Sequence, residues 1–317
     1  MSLPSPSMNE SEAQSLLLDF LQELGVREGD VLYLAVDMSR VPLPAIKPQL
    51  TRKGMEELQM KWCAFLLNTL KKSVGAFGTL LAPAFTYAYA GGNVPYVHET
   101  SPSETGPFTE YFRRHSECRS LHPLHSVAGI GAKARVILED TGRSAFGLRS
   151  PFGRLNKHQV KFLTLGTTIG ASLTYAHHLE QLYGVNYRYH VMFNTPVFRD
   201  GLQIPGPWLC FSRYLGAGVV PCVANLKEGL RKAGALREIS NWPHPMQLVE
   251  VEKVDDVAMR MLDANPMAFI SEPVEVRMDS SDHGPADAGI RVARYEMKVT
   301  AQVAAPKAGG HLRAFGP

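Results

Sequence analysis

Three short apolar runs constrain the fold of this chain more than anything else in it. They are Val31-Leu-Tyr-Leu-Ala-Val36, Thr79-Leu-Leu-Ala-Pro-Ala-Phe85-Thr86-Tyr87 and Val160-Lys-Phe-Leu-Thr-Leu165. A strand that is apolar on both faces belongs inside a sheet covered on both sides, the pattern of parallel α/β proteins. Helical patterns lie before and between them. Leu16, Leu17, Phe20, Leu21 and Leu24 recur at helical spacing up to Gly25, with Ser11 as the expected N-cap. Over residues 51–72, Met55, Leu58, Trp62, Phe65, Leu66 and Leu70 form the apolar face of the longest helix. The expected fold is α/β: a three-layer α/β/α arrangement with a mixed, largely parallel sheet, and a smaller β-containing portion from the second half closing over the active site.

Open α/β sheets bind ligands beyond the carboxyl ends of their strands. That rim is expected to carry Asp37-Met38-Ser39 after the first run and Phe85-Thr86-Tyr87 after the second. The loop over 88–107, rich in Gly, Pro and Ser, brings His98, Glu99 and Glu104. Asp37, Tyr87, Glu99 and, further on, Arg188 are the candidate substrate contacts. After the third run, Gly166-Thr-Thr-Ile-Gly170 turns the chain sharply, and a helix is expected to open near Ser172 or Thr174. It carries His177 and Glu180, three residues apart and so on one face. A carboxylate that fixes one imidazole nitrogen leaves the other to act as a base. The bland alternative is a core histidine beside an ordinary surface glutamate.

A length of 317 residues with 45% hydrophobic content supports a large core. Residues 1–10 read as a flexible arm, 11–278 as the folded domain, and 279–317, where Gly, Pro, Ala and Asp accumulate, as a flexible tail; 274–278 reads as a last strand. A net charge of +3 without a Lys/Arg stripe argues against nucleic acid. Cys63, Cys118, Cys210 and Cys222 lack zinc or disulfide spacing and read as reduced, buried thiols. With no apolar leader and no membrane span, a cytoplasmic protein is expected.

The motifs, taken in order, resemble a known family. Gly25-Val26 and Gly29-Asp30 precede a strand, and Gly78-Thr79-Leu80 leads to Pro83-Ala84-Phe85-Thr86. Arg119-Ser120-x-His122-Pro123-x-x-Ser126-x-Ala128-Gly129-x-Gly131 follows, then Ser150-Pro151, Gly166 and Thr174-x-x-His177-x-x-Glu180. Over roughly residues 15–275 this is similar to the aminoglycoside 3-N-acetyltransferases. The resemblance implies transfer of an acetyl or other short acyl group from coenzyme A to an amine of an amino sugar or aminoglycoside. It needs no metal, and homo-oligomerisation is left open. It also implies that His177 is the general base, with Thr174 at the same helix opening and Glu180 or another carboxylate such as Asp37 orienting the imidazole. Arg119, Ser120, His122 and Ser126 would line the coenzyme channel, with Ser39 as a further coenzyme contact.

Members that modify antibiotics carry His-Ser-Ser where this chain has Val36-Asp37-Met38-Ser39. The stretches 185–190 and 211–215 look more like relatives found among polysaccharide and natural-product genes. With the mildly basic charge, they point to an acceptor carrying phosphate or carboxylate. For Arg119 the alternative is an ion pair with Glu117 or Glu110, and for His122-Pro123 a turn whose imidazole caps the backbone. A metal-dependent hydrolase using His122, His125, His177 and His178 is disfavoured by their spacing. A non-catalytic binding relative of the same fold is the other competing expectation.

Overall fold

The computed structural model describes residues 8–44, 51–214 and 219–274. Most of the 1–10 arm, residues 275–278 of the expected last strand and the 279–317 tail lie outside the described residues. Helix α1, Glu10–Glu23, is capped by Asn9 and not by Ser11. Asn9 Oδ1 accepts the Glu12 N–H at 3.0 Å, and the Glu12 carboxylate accepts the Asn9 N–H at 2.9 Å. This reciprocal capping box satisfies two donors at Asn9 and so starts the helix one residue before Ser11, which lies within its first turn. Strand β1, Val31–Val36, follows, then α2, Arg52–Val74, with Thr51 as its N-cap. Leu58, Phe65, Leu66 and Leu70 of α2 are buried, but Met55 sits on its outer side, 48% exposed.

Next come β2, Thr79–Pro83; β3, Tyr96–Val97; α3, Pro107–Arg114; β4, Cys118–Arg119; β5, Val127–Gly131; and α4, Ala134–Leu138. They are followed by β6, Lys161–Leu165; α5, Ile169–Ser172; α6, Ala176–Tyr183; β7, Arg188–Phe193; β8, Val197–Arg199; β9, Leu202–Ile204; and β10, Trp208–Arg213. The last elements are α7, Ala224–Lys232; β11, Arg237–Glu238; β12, Met246–Glu250; and α8, Val251–Ala264.

The main sheet has seven strands in the order β11-β12-β6-β1-β2-β5-β4. It is mixed. The three central strands, β6, β1 and β2, are parallel, and the apolar runs that signalled them are the ones buried on both faces. The flanking strands pair antiparallel. Alternate residues feed separate cores, as the twofold period of a strand requires. Val31, Tyr33, Leu81, Phe162 and Val249 face a core shared with α4, α6, α7 and α8. Leu32, Leu34, Leu80, Leu163 and Leu248 face the other, against α1, α2 and α3.

The smaller β portion consists of an antiparallel ribbon, β7 with β10, and a three-stranded sheet in the order β3-β8-β9. Both sit at the carboxyl rim on the first core's side. Leu209 of β10 bridges to Ser144 and accepts a hydrogen bond from His122 Nε2, while Tyr89 Oη donates to Thr195 O at 2.8 Å. All four cysteines are free; Cys63 and Cys210 are buried, whereas Cys118 and Cys222 are partly exposed. No helix among the described residues is long and apolar enough to cross a membrane.

Candidate active site

The site is built where β6 ends beside β1. Gly166 takes a left-handed φ of 73°, and a Cβ placed on it would meet Asp37 O at 2.5 Å. Only glycine lets the two backbones cross this closely. Its N–H donates to Pro245 O at 2.8 Å and is therefore not free to bind an oxyanion. The single turn α5 follows, anchored by the buried Gln247, whose Oε1 accepts the Ile169 N–H at 2.8 Å. The helix bearing the His and Glu opens only at Ala176, later than the Ser172–Thr174 expected. Thr174 lies in the intervening turn, where its carbonyl accepts the His177 N–H at 3.0 Å.

His177 and Glu180 face each other across one turn of α6, Nδ1 standing 2.7 Å from Oε2. Glu180 is no surface residue: it is 1% exposed, and Tyr187 Oη donates to its Oε1 at 2.8 Å. Arg188, the first residue of β7, completes the cluster. Its Nε lies 2.8 Å from Glu180 Oε2, an ion pair whose N–H is not aligned on the oxygen. Its Nη2 is also 2.8 Å from His177 Nδ1, and Nη1 donates to Phe211 O at 3.2 Å. His177 Nε2 makes no hydrogen bond to the described residues, and the side chain is 24% exposed.

The electrostatics follow from this packing. Burial and the neighbouring Arg188 and Arg213 cations hold the His177 imidazole below its ordinary value, against the pull of Glu180. For Glu180, burial works to raise the carboxyl, but His177, Arg188 and Tyr187 outweigh it and keep it below the usual carboxylate range. The resting pair is a neutral imidazole beside an ionised carboxylate.

An aromatic row leads from the end of β2 to this imidazole. The His125 ring lies 4.9 Å from Phe85, 6.4 Å from the half-exposed Tyr87 and 4.7 Å from Phe146, which in turn lies 5.4 Å from His177. His125 was not among the expected site residues. The signal for it was the second histidine of His122-Pro-Leu-His125, which local spacing alone does not aim at α6. Burial first, then His122, His177 and Arg188, push it well below the ordinary imidazole value.

The expected coenzyme-channel residues form a different structure. Arg119, 7% exposed, gives its Nε–H to Ser126 Oγ, its Nη1 hydrogens to His98 O and Ser101 O, and its Nη2 hydrogens to Ala84 O and Thr86 Oγ1. All five donors are spent on the protein, so none is left for a phosphate. Nor does Arg119 pair with Glu117 or Glu110. Ser126 Oγ donates to Ala84 O, and Ser120 Oγ accepts the Val127 N–H. His122 accepts from Leu124 N and His125 N on Nδ1 and donates Nε2–H to Leu209 O, a backbone cap; burial drives its pKa down to about 4.

The other candidates divide. Asp37 caps the 3-10 turn after β1: its Oδ1 accepts from Ser39 N and Oγ, and its Oδ2 lies 3.3 Å from Arg40 Nε. Glu180, not Asp37, is thus the carboxylate at His177. Ser39 remains exposed at the rim. Glu99 accepts the Asp200 N–H at 2.9 Å, tying the loop to the β8–β9 hairpin. His178 is held by Phe146 O at 2.5 Å, so two of the imidazoles in the hydrolase alternative are occupied by backbone. A cleft of about 460 Å³, lined by Lys133, His158 and Glu250 among others, opens at the amino ends of β1 and β6, the rim opposite to His177.

The model of the aminoglycoside 3-N-acetyltransferase family matches residues 56–263, most of the chain. The chain belongs to that family. Membership makes it an acetyl-CoA-dependent N-acetyltransferase. Solved structures, aminoglycoside acetyltransferases among them, share the fold at low identity. Aminoglycoside acetyltransferase AAC(3)-Xa is 19% identical, with 80% of this chain and 96% of that chain covered and a TM-score of 0.64. For AAC-IIIb in a binary complex with CoASH the figures are 20%, 82%, 98% and 0.63. For the YokD protein from Bacillus subtilis they are 16%, 83%, 96% and 0.63. No curated protein matches the sequence.

Proposed function

We propose that this acetyltransferase acetylates the amine of an amino sugar by direct attack on the acetyl-CoA thioester, with His177 as general base and Glu180 as the carboxylate that orients it. The observation that carries this is the buried His177–Glu180 pair, whose Nε2 is left without a partner among the described residues. An ammonium cannot attack a carbonyl, so the amine reacts in its neutral form, its first proton lost to solvent. As the amine nitrogen bonds to the thioester carbon, Nε2 takes the nitrogen's second proton, the C–S bond breaks, and the departing thiolate receives that proton from the imidazolium, leaving the amide and free thiol. General-base assistance of this kind contributes about 10²–10⁴ in rate. Ser39, exposed past the end of β1, is the remaining coenzyme contact at this rim.

Two cations, Arg188 and Arg213, act on His177 against the one carboxylate Glu180. This balance supports an acceptor whose sugar carries an anionic group over a polycationic aminoglycoside. Thiol release from acetyl-CoA, scanned over aminoglycosides, free amino sugars and nucleotide-linked amino sugars, tests both parts. His177→Gln should lose about 10²-fold or more in kcat while binding coenzyme normally. Full activity in that variant removes the base assignment, and turnover of aminoglycosides alone removes the anionic acceptor.

A further inference from the structure

One ring nitrogen in the site has two suitors. His177 Nδ1 is 2.7 Å from Glu180 Oε2 and 2.8 Å from Arg188 Nη2. A guanidinium only donates and an ionised carboxylate only accepts, so Nδ1 cannot satisfy both at once. With a proton on Nδ1 it donates to Glu180 and confronts an Arg188 N–H; Nε2 then holds the lone pair and is a base. With the proton on Nε2 instead, Nδ1 accepts from Arg188 and meets the Glu180 oxygen lone pair against lone pair. In that form Nε2 cannot take a proton. The guanidinium is anchored by Phe211 O on β10 and is 5% exposed, so it cannot swing away to relieve the conflict.

We infer that Arg188 is a positioning residue of this site: by competing with Glu180 for Nδ1 it sets the tautomer of His177 and opposes the doubly protonated ring. Its catalytic consequence rests on the base role proposed above; the tautomer balance itself does not. The other groups facing His177 are Glu180 on its own helix, backed by Tyr187, Arg213 of β10, and His125 beyond Phe146, which burial keeps neutral. Of these, Arg188 alone touches Nδ1 with a positive charge.

The test is nitrogen NMR of the protein labelled with ¹⁵N-histidine, the His177 signals being assigned by their absence in His177→Gln. In the wild type both ring nitrogens should show shifts intermediate between the protonated and bare forms. In Arg188→Gln they should separate into an Nδ1–H, bare-Nε2 pattern, with the ring titrating at higher pH. Arg188→Lys, which keeps the charge without the fork, should keep the low titration. A wild type already wholly in the Nδ1–H form, or a titration that Arg188→Gln leaves unmoved, overturns the inference. In turnover, Arg188→Gln should lose about tenfold on the acid side relative to its own high-pH plateau. A uniform loss at every pH, the mark of a merely structural residue, also overturns it. Spectral changes as expected in a protein that acetylates no amine would uphold the inference and remove the functional reading instead.

Discussion

Replacing Arg119 with alanine separates a structural arginine from a coenzyme ligand. The guanidinium is buried and each of its five N–H groups has an acceptor in the protein. Of those acceptors, Ala84 O keeps the Ser126 hydroxyl and Thr86 Oγ1 keeps its own bond to Pro102 O. His98 O and Ser101 O lose the hydrogen bonds Arg119 gives them. An unsatisfied buried polar group costs about 1–3 kcal/mol, and the stacking over the Tyr96 ring, 5.0 Å away, goes as well. Against this stands the desolvation of the cation, which the alanine variant no longer bears. The expected net loss is about 2–5 kcal/mol. Urea unfolding followed by circular dichroism measures it, with the Michaelis constant for acetyl-CoA determined on the folded enzyme. Arg119→Lys should lose a comparable amount, since an ammonium cannot span acceptors spread over five residues. Stability within about 0.5 kcal/mol of wild type would refute the reasoning. So would a normal fold with a tenfold weaker coenzyme interaction, which would restore the arginine to the coenzyme.

Other perturbations address the proposed base and its support. Glu180→Gln keeps the shape but lets an amide N–H donate to Nδ1, locking the proton on Nε2; kcat should fall by about 10²–10⁴ with the coenzyme Michaelis constant nearly unchanged, by steady-state kinetics. Gly166→Ala puts a methyl 2.5 Å from Asp37 O at a left-handed φ, and should lower the thermal midpoint by several degrees while disturbing turnover, by calorimetry and thiol release. His122, His125, His177 and His178 are all held below the ordinary imidazole value of 6.5, burial being the largest cause for each. Below that pH the unfolded chain binds protons that the fold excludes, so stability should fall as the pH drops from 6.5 towards 4. The slope is at most about 1.4 kcal/mol per pH unit for each ring, and unfolding titrations across that window check it.

Much of the framework was legible because it is written in local periodicity. The central strands announced themselves as apolar runs, and their alternate residues do feed two cores. His177 and Glu180 met because three residues on a helix always share a face. Where the reading failed, a contact was decided across the chain. Arg119 looked like a phosphate ligand because an arginine in a polar stretch has unspecified partners in one dimension. Its acceptors, at 84, 86, 98, 101 and 126, are brought round it only when β4 and β5 dock on β2. Asp37 stayed open as an alternative to Glu180 at His177 until the turn after β1 occupied the aspartate.

By itself the sequence determined the layered α/β fold, the family and the pairing of the His177 imidazole with the Glu180 carboxylate, since each follows from spacing along the chain or from the order of its motifs. The tertiary structure alone decided that Arg119 is an internal strut, that His125 joins the row leading to His177, and that Arg188 shares Nδ1 with Glu180. Those contacts join α6, the β2 and β5 rims and the β7–β10 ribbon, elements whose proximity is a product of topology, and no pattern within any one of them encodes which neighbour the packing will supply.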